Sequence, residues 1–243
     1  MFAKLPRTLG PALAVLASAG LAGCSVDMGS GNFDGVPLAE LDTSSASPDS
    51  IRLAGPDTVV ITRGDTFSIE VTGDQDAVDA LRFDLEGGSL GIGRRNNSNT
   101  TGTAQIALVV PDLRTLSLAG SGDIQADRLD GEGDINIAGS GTTRITEIAT
   151  DSLDISIAGS GDVEGNGTSG KLDVSIAGSG SGKLRGLQVE TADISIAGSG
   201  DLEFSSDGTV EASIVGSGDV TVTGSAKCDG RRMGSGKLRC GPA

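Results

Sequence analysis

Apolar and polar residues alternate along most of the chain in short runs that end in the tripeptide Gly-Ser-Gly. One such run is Ile155, Ser156 and Ile157, just before Gly159. Because successive side chains of a β-strand point to opposite faces, both isoleucines are predicted to point inward and the serine toward solvent. The tripeptide recurs every 18 to 20 residues, with its first glycine at Gly120, Gly139, Gly159, Gly178, Gly198, Gly216 and Gly234.

This period, with two or three short strands per repeat, predicts an all-β fold: a single-stranded parallel β-helix, which we expect to be right-handed. Weaker copies of the pattern begin near Ile51, Ile69 and Leu90. Together with the regular repeats they predict a solenoid of roughly ten rungs of 18–20 residues, stacked about 4.8 Å apart. The stretch Arg94 to Gly102 is predicted to be a polar loop inserted into one rung. Residues 33–243 are therefore expected to form one β-helical domain.

The N-terminal segment is typical of an export signal. Lys4 and Arg7 precede an apolar run, Leu9 to Leu21, which is shorter than the roughly 20 residues that a spanning helix needs. The run ends in Leu-Ala-Gly-Cys24, which resembles a bacterial lipobox. Residues 1–23 are therefore predicted to be a lipoprotein signal peptide and Cys24 the lipidated N-terminus; an ordinary secretory signal is the alternative.

Residues 24–32 are mostly small or polar, and they are predicted to form a flexible lipidated tether. Acyl chains such as palmitate on Cys24 would hold the protein at a bilayer, since each buried CH₂ contributes about 0.8 kcal/mol. Ser25 after the cysteine resembles the sorting signal of Gram-negative lipoproteins that go to the outer membrane. The expected location is the cell envelope, with a lipid anchor in the outer membrane.

Charge and composition narrow the choice of partners. Without Lys4 and Arg7, the 33 carboxylates outnumber the remaining 16 cations by 17. Such a surface repels phosphate backbones and anionic headgroups, so no nucleic-acid partner is expected and membrane attachment must be through the lipid. The chain has no histidine, tryptophan or tyrosine, which removes the commonest general base and the rings that stack on sugars. The sequence therefore predicts a protein that is not an enzyme, against the alternative of a polysaccharide lyase or hydrolase.

Two cysteines remain near the C-terminus. In an oxidising envelope Cys228 and Cys240 are expected to form a disulfide, whereas two thiols without histidine give little support to a zinc site. The Cys228–Cys240 pair lies where a cap on the last rung is expected. Five cations accompany it: Lys227, Arg231, Arg232, Lys237 and Arg239.

Stacking turns equivalent positions of the repeat into columns. One column is a ladder of outward-facing carboxylates: Asp134, Asp154, Asp173, Asp193 and Glu211. A second, interrupted column follows the glycine corner: Asp123, Asp162, Asp201 and Asp219. Neighbouring unit charges at the rung spacing repel by about 0.9 kcal/mol in bulk water. The ladder is interpreted either as solvated charge that keeps a β-surface soluble or as a binding site for a divalent cation such as Ca²⁺; no other cofactor is expected.

The repeated Ala-Gly-Ser-Gly-Asp motif, the opening Phe33-Asp-Gly-Val36 and the segment Val109-Val-Pro-Asp-Leu113 resemble the "putative auto-transporter adhesin head GIN domain" family of bacterial exported proteins. The resemblance covers about residues 33–243. It implies a β-helical fold and a cell-surface setting, and it brings no catalytic residues. The function expected from it is a non-catalytic adhesin or surface-binding module for an envelope glycan or surface protein. The alternative is a structural envelope protein that self-associates.

Overall fold

The computed structural model of the protein describes residues 33, 35–44, 47–95 and 100–242. These ranges are almost entirely β-structure, with one α-helix, α1 (Gln75–Ala80), and one 3-10 helix (Leu38–Glu40). The strands are β1 (Ser50–Gly55), β2 (Thr58–Arg63), β3 (Ser68–Gly73), β4 (Leu81–Glu86), β5 (Ser89–Arg94), β6 (Ala104–Val110), β7 (Thr115–Gly120), β8 (Asp123–Gly139), β9 (Thr142–Gly159), β10 (Asp162–Gly178), β11 (Ser181–Gly198), β12 (Asp201–Gly216), β13 (Asp219–Thr223), β14 (Lys227–Gly234) and β15 (Lys237–Gly241).

From β7 onward, each strand pairs with the next rung in parallel and in register. Ile155 lies opposite Ile135 on one side and Val174 on the other. Ile155 and Ile157 are each 2% exposed, whereas Ser156 between them is exposed. The predicted alternation is therefore confirmed, and the fold is a parallel β-solenoid with an aliphatic interior.

The Gly-Ser-Gly corners stack as closely as the strands do. Gly159 has a φ of +126°, and a Cβ there would lie 2.4 Å from the carbonyl oxygen of Gly139 in the preceding rung. The N–H of Ser160 donates to that same oxygen at 2.8 Å. The first glycine of the corner is thus required both by its backbone conformation and by the close approach of the rung below.

β-Bulges absorb the unequal lengths of the repeats. The register shifts between Gly131 and Glu132, between Glu164 and Asn166, and again beyond Leu184. These irregularities all lie in the later half of a rung, after the second short strand. The first strand and the corner of each rung therefore remain aligned although the repeat varies between 18 and 20 residues.

The N-terminal rungs do not stack in chain order, which corrects the expected count of rungs. β1 lies between β5 and β7, and β2 lies between β6 and β8. β3 pairs antiparallel with β6, and β4 pairs antiparallel with β5. The solenoid consequently has about seven turns rather than roughly ten. The weak repeat that begins near Ile69 falls in β3, so it is not a further parallel rung.

The strands form two long faces. The first face has the order β4-β5-β1-β7-β8-β9-β10-β11-β12-β14. The second face has the order β3-β6-β2-β8-β9-β10-β11-β12-β13-β15. The long strands β8 to β12 contribute to both faces because each continues around a corner. The first face carries the predicted carboxylate ladder, and the second face carries the column that follows the glycine corner.

The last turn is closed covalently. Cys228 and Cys240 form the predicted disulfide, with their Cα atoms 6.6 Å apart. They occupy inward positions directly above Val210 and Val222, so the bond joins the two faces across the end of the core. Arg232 continues the inward column of isoleucines at this end and is exposed. The described part of the chain contains no helix that is long and apolar enough to cross a membrane.

Candidate functional site

The predicted carboxylate ladder is present on the first face. Asp134 lies opposite Asp154, Asp154 opposite Asp173, and Asp173 opposite Asp193. The ladder continues through Glu211 to a further carboxylate, Asp229, on the last rung. Equivalent positions of the repeat therefore place carboxylates side by side over six successive rungs.

The ladder carries little compensating positive charge. Burial raises the pKa of Asp154, and the neighbouring charges of Asp173 and Asp134 raise it further. Burial also raises the pKa of Asp134, against the opposing effect of a 2.7 Å hydrogen bond donated by Asn136 Nδ2. Among the described residues, the single ion pair to these ladder carboxylates is from Lys171 Nζ to Asp173 Oδ2, at 2.6 Å.

Two further columns run beside the ladder on the same face. The column of polar side chains is Asn136, Ser156, Ser175, Ser195 and Ser213, and the column of small apolar side chains is Ala138, Ala158, Ala177 and Ala197, continued by Val215 and Met233. Between the carboxylates and the serines lies a shallow, open depression of about 250 Å³. The face thus offers parallel rows of charged acceptors, hydroxyl groups and methyl groups.

The arrangement of the carboxylates bears on the predicted cation site. Neighbouring rungs lie about 4.8 Å apart, whereas Ca²⁺ gathers six to eight oxygens within 2.3–2.6 Å of one point. Within residues 33, 35–44, 47–95 and 100–242, no group of three or more carboxylate or thiol side chains is arranged to hold a metal ion. Divalent-cation binding by the ladder stays a prediction.

On the second face, in contrast to the first, side chains of opposite charge are paired. Stacked one above another are Arg144, Glu164, Lys183 and Glu203, so the sign of the charge alternates from rung to rung. Glu164 accepts hydrogen bonds from Lys183 Nζ at 3.2 Å and from Arg144 Nε at 3.0 Å. The hydrogen bond from Lys183 lowers the pKa of Glu164, and Arg144 lowers it further. Likewise, the hydrogen bond from Arg185 lowers the pKa of Glu203.

Three of the four predicted aspartates of the second column, Asp123, Asp162 and Asp219, take part in this pairing. The fourth, Asp201, forms no ion pair with a described residue. Lys183 Nζ lies 2.7 Å from Asp162 Oδ2, and Arg239 Nη1 lies 2.9 Å from Asp219 Oδ2. Sequence reasoning identified the aspartates but missed their cationic partners. The signal was available, because each partner stands two residues beyond the corner aspartate position of its own rung and so points outward from the same face.

Sequence reasoning also missed Asp57, the one charged side chain that is buried among the described residues. Asp57 is fully buried, and the guanidinium of Arg94 donates two hydrogen bonds to its carboxylate, at 2.6 and 2.8 Å. The N–H of Ala104 donates to the same carboxylate at 2.8 Å, and the guanidinium also reaches the carbonyl oxygen of Gly102 at 2.7 Å. The hydrogen bond to Asp57 raises the pKa of Arg94. This network attaches the predicted polar loop to a rung corner, which is a structural role.

Cys24, the predicted lipidation site, lies outside the described residues together with the signal peptide 1–23 and the tether 24–32. The candidate functional surface of the described domain is therefore the first face, with its ladder and its serine and alanine columns.

Known proteins share this architecture. A family profile described as "Putative auto-transporter adhesin, head GIN domain" matches residues 47–226. The chain is similar to the crystal structure of a "putative adhesin" from Bacteroides fragilis, with 19% identity, a TM-score of 0.73, and coverage of 80% of this chain and 92% of that one. A "putative adhesin" from Parabacteroides merdae has 20% identity, a TM-score of 0.65 and coverage of 80% and 92%.

A "putative lipid binding protein" from Parabacteroides distasonis has 27% identity and a TM-score of 0.64, covering 80% of this chain and 93% of that one. No curated protein matches the chain. The family match spans most of the chain, and adhesins are a non-enzymatic kind of protein found at the cell surface or in the envelope. The chain therefore belongs to the "Putative auto-transporter adhesin, head GIN domain" family.

Proposed function

We propose that the protein is a non-catalytic binding module of the bacterial envelope, held at the outer membrane by a lipid on Cys24, and that its first face binds a neutral glycan. The observation that carries this proposal is the ladder itself: Asp134, Asp154, Asp173 and Asp193 are stacked in register with little pairing. The second face demonstrates that the same scaffold accommodates alternating, paired charge. The ladder, in which only Asp173 forms an ion pair with a described cation, therefore leaves most of its acceptors available to a ligand.

The chemistry of the face suits a polymer rich in hydroxyl groups. Ionised carboxylates accept charge-assisted hydrogen bonds, which are stronger than bonds between neutral groups. Ser156, Ser175 and Ser195 both donate and accept, and the alanine column offers small apolar contacts to the C–H faces of sugar rings. Anionic polymers are disfavoured by the same negative charge.

Each contact on this face is weak because the chain has no tryptophan or tyrosine to stack on a sugar ring. Affinity must therefore come from repetition along the solenoid. A polymer that engages several rungs at once gains avidity, since every binding event after the first is intramolecular. The proposal consequently predicts stronger binding to long chains than to short oligosaccharides.

A binding screen against neutral polysaccharides tests the glycan proposal. The described core runs from Ile51 to Val222, with packed residues from Leu38 to Leu238, so a soluble form lacking residues 1–24 keeps this core. We expect binding to at least one neutral polysaccharide and a loss of at least about tenfold in the triple variant Asp154→Asn, Asp173→Asn and Asp193→Asn.

The matched control removes the same number of charges elsewhere, with Asp65→Asn, Asp151→Asn and Glu190→Gln, three exposed positions away from the ladder. This control is expected to bind like the parent. Equal losses in the two triple variants, or no binding to any neutral polysaccharide, would reject the proposal. The screen is run with and without Ca²⁺, so that a ladder that needs the cation is distinguished from one that binds sugar directly.

The lipid anchor is tested separately. Cys24→Ala in the full-length chain is expected to leave the precursor unprocessed or to release the protein from membranes, because the thiol is the acylated group. Partition of the variant into the detergent phase to the same extent as the parent would contradict the anchor. This result leaves the glycan test unaffected, since that test uses the soluble form.

A further inference from the structure

We propose that the C-terminal end of the solenoid docks onto the N-terminal end of a second copy of the chain, in a head-to-tail arrangement. The C-terminal end is formed by β14 and β15, and the N-terminal end by β3 and β4. This inference is independent of glycan binding, which uses the side of the solenoid rather than its ends.

Both faces present a strand edge at each end. In the described part of the chain, β14 pairs only with β12, β15 only with β13, and β3 only with β6. β4 pairs with β5 and otherwise makes a single bridge, between Phe83 and Val36. Edge strands with free N–H and C=O groups are templates for pairing with another chain.

The order of strands makes the two ends geometrically compatible. β4 and β14 are the two ends of the first face, and β3 and β15 are the two ends of the second face. A second copy placed further along the solenoid axis therefore brings β14 against the edge of β4, where Val36 is hydrogen-bonded to Phe83, and β15 against β3 at the same time. A contact of this kind uses two different surfaces, so it does not close on itself and can extend into a chain of copies.

The charges of the two ends are opposite. Residues 227–240 carry five cations and one carboxylate. Arg239 pairs with Asp219, whereas no described carboxylate forms an ion pair with the other four, which are exposed: Lys227, Arg231, Arg232 and Lys237. The C-terminal end is thus a positive surface on a protein that is otherwise strongly acidic.

The N-terminal end is the acidic counterpart. Residues 65–86, which contain β3, α1 and β4, carry seven carboxylates against one cation, Arg82. The carboxylates are Asp65, Glu70, Asp74, Asp76, Asp79, Asp84 and Glu86. Opposite charges attract the C-terminal end of one copy to the N-terminal end of another, while like charges oppose the two symmetric alternatives, so the charges select one direction of stacking.

The exposed apolar side chains are found at the same two ends. In the described residues, the large exposed hydrophobic side chains are Val36 at 39%, Val215 at 50% and Met233 at 72%. Val36 is bridged to the end strand β4, and Met233 lies on β14 with Val215 directly beneath it. Each end therefore combines an open edge with net charge of one sign, and at the C-terminal end Met233 and Val215 add an apolar rim where the alanine column of the first face reaches the last rung.

Sedimentation velocity of the form lacking residues 1–24 tests the proposal. At low ionic strength the parent is expected to form species larger than a monomer that grow with concentration, and to dissociate when salt screens the charges. Two variants each remove most of the net charge of one end: Arg231→Glu with Arg232→Glu changes the net charge of residues 227–240 from +4 to 0, and Asp65→Arg with Glu70→Arg changes that of residues 65–86 from −6 to −2. Each variant alone is expected to associate at least about tenfold more weakly than the parent, because the attraction between its two ends is reduced.

Mixing the two variants in equal amounts is the decisive arm, because the unaltered acidic end of one variant can then bind the unaltered basic end of the other, so that pairs of copies should form again. Asp151→Arg with Glu190→Arg is the control for the acidic-end variant, because it raises the net charge by the same 4 units on the side of the solenoid, and it should associate like the parent. A monomeric parent, or a mixture that fails to associate, would overturn the proposal. If the monomeric parent instead binds an anionic polysaccharide through its C-terminal cations, the proposal is likewise overturned, because the cations then serve a different partner.

Discussion

Both faces of the solenoid carry columns of stacked carboxylates, and they differ in how the cations are distributed. On the second face Arg144, Glu164 and Lys183 alternate in sign and form hydrogen-bonded ion pairs. On the first face Asp134 and Asp154 follow one another with the same sign. An in-register solenoid stacks like charges wherever its repeat is conserved within the chain, and pairing appears only where successive rungs differ.

The two faces respond to pH in opposite directions. Because the pKa of Asp154 is raised in the fold, the folded state holds this proton more tightly than the unfolded chain, and stability is lost as the pH rises through the folded pKa. The pKa of Glu164 is lowered, so its contribution is present above the unfolded pKa and is lost as the pH falls through the folded pKa. Asp154 on the first face therefore contributes most to stability at mildly acidic pH, whereas Glu164 on the second face contributes most at neutral pH.

The largest effect is expected where pairing is buried, at Asp57 and Arg94. Arg94→Met leaves the fully buried Asp57 without its partner and should lower the free energy of unfolding by about 3–5 kcal/mol. Arg144→Met, which removes a cation from the exposed second face, should change it by less than about 1 kcal/mol. Urea unfolding of the two variants measures the difference. Similar losses in both would contradict the idea that burial decides what a pair contributes.

The register on which both faces depend is tested at Ile157 and Ser156. Ile157→Ala opens a cavity in the aliphatic column and should cost about 2–5 kcal/mol, whereas the exposed Ser156→Ala should stay within about 0.5 kcal/mol. Thermal melts of the form lacking residues 1–24 provide the comparison. A larger loss from the serine change would mean that the inward and outward columns are exchanged.

The disulfide joins the last strand of the first face to the last strand of the second. Replacing Cys228 and Cys240 by serine should reduce the free energy of unfolding by roughly 3 kcal/mol, because the unfolded chain regains the entropy of an open loop. Hydrogen exchange should increase first in β14 and β15, since each rung of a solenoid contacts only its neighbours. Uniform loss of protection along the whole solenoid would argue against a local cap.

The smallest effects distinguish the two faces directly. At neutral pH, Asp154→Asn should raise the free energy of unfolding because it removes a charge that burial disfavours, while Glu164→Gln should lower it by removing an ion pair; each change is expected to be within about 1 kcal/mol. Both differences should shrink at a pH below the folded pKa of each carboxylate, where the parent side chains are protonated, and the difference at Asp154, whose pKa is raised, should shrink at a higher pH than that at Glu164, whose pKa is lowered. Urea unfolding at neutral and at acidic pH checks the signs, and changes of the same sign would remove the contrast between the faces.

The sequence by itself determined the regular part of the fold and the ladder. A constant period and strict alternation place Ile155 inward and Ser156 outward, and the same period brings Asp154 beside Asp173 once the strands are parallel. These features are local or repeated, so each rung carries the information needed to align with the next. The disulfide between Cys228 and Cys240 was predicted from the small number of cysteines and from the expected export to an oxidising envelope.

The tertiary structure alone decided the order of the N-terminal strands and the partners of the charges. The pattern near Ile69 has the period of a strand, but parallel and antiparallel pairing share that period, so the sequence did not reveal that β3 runs antiparallel to β6. The pair between Asp57 and Arg94 spans two rungs that are not neighbours in the expected order. Each short apolar run could pair with more than one neighbouring strand. The order of the strands is therefore decided by how all of them pack together in the complete core.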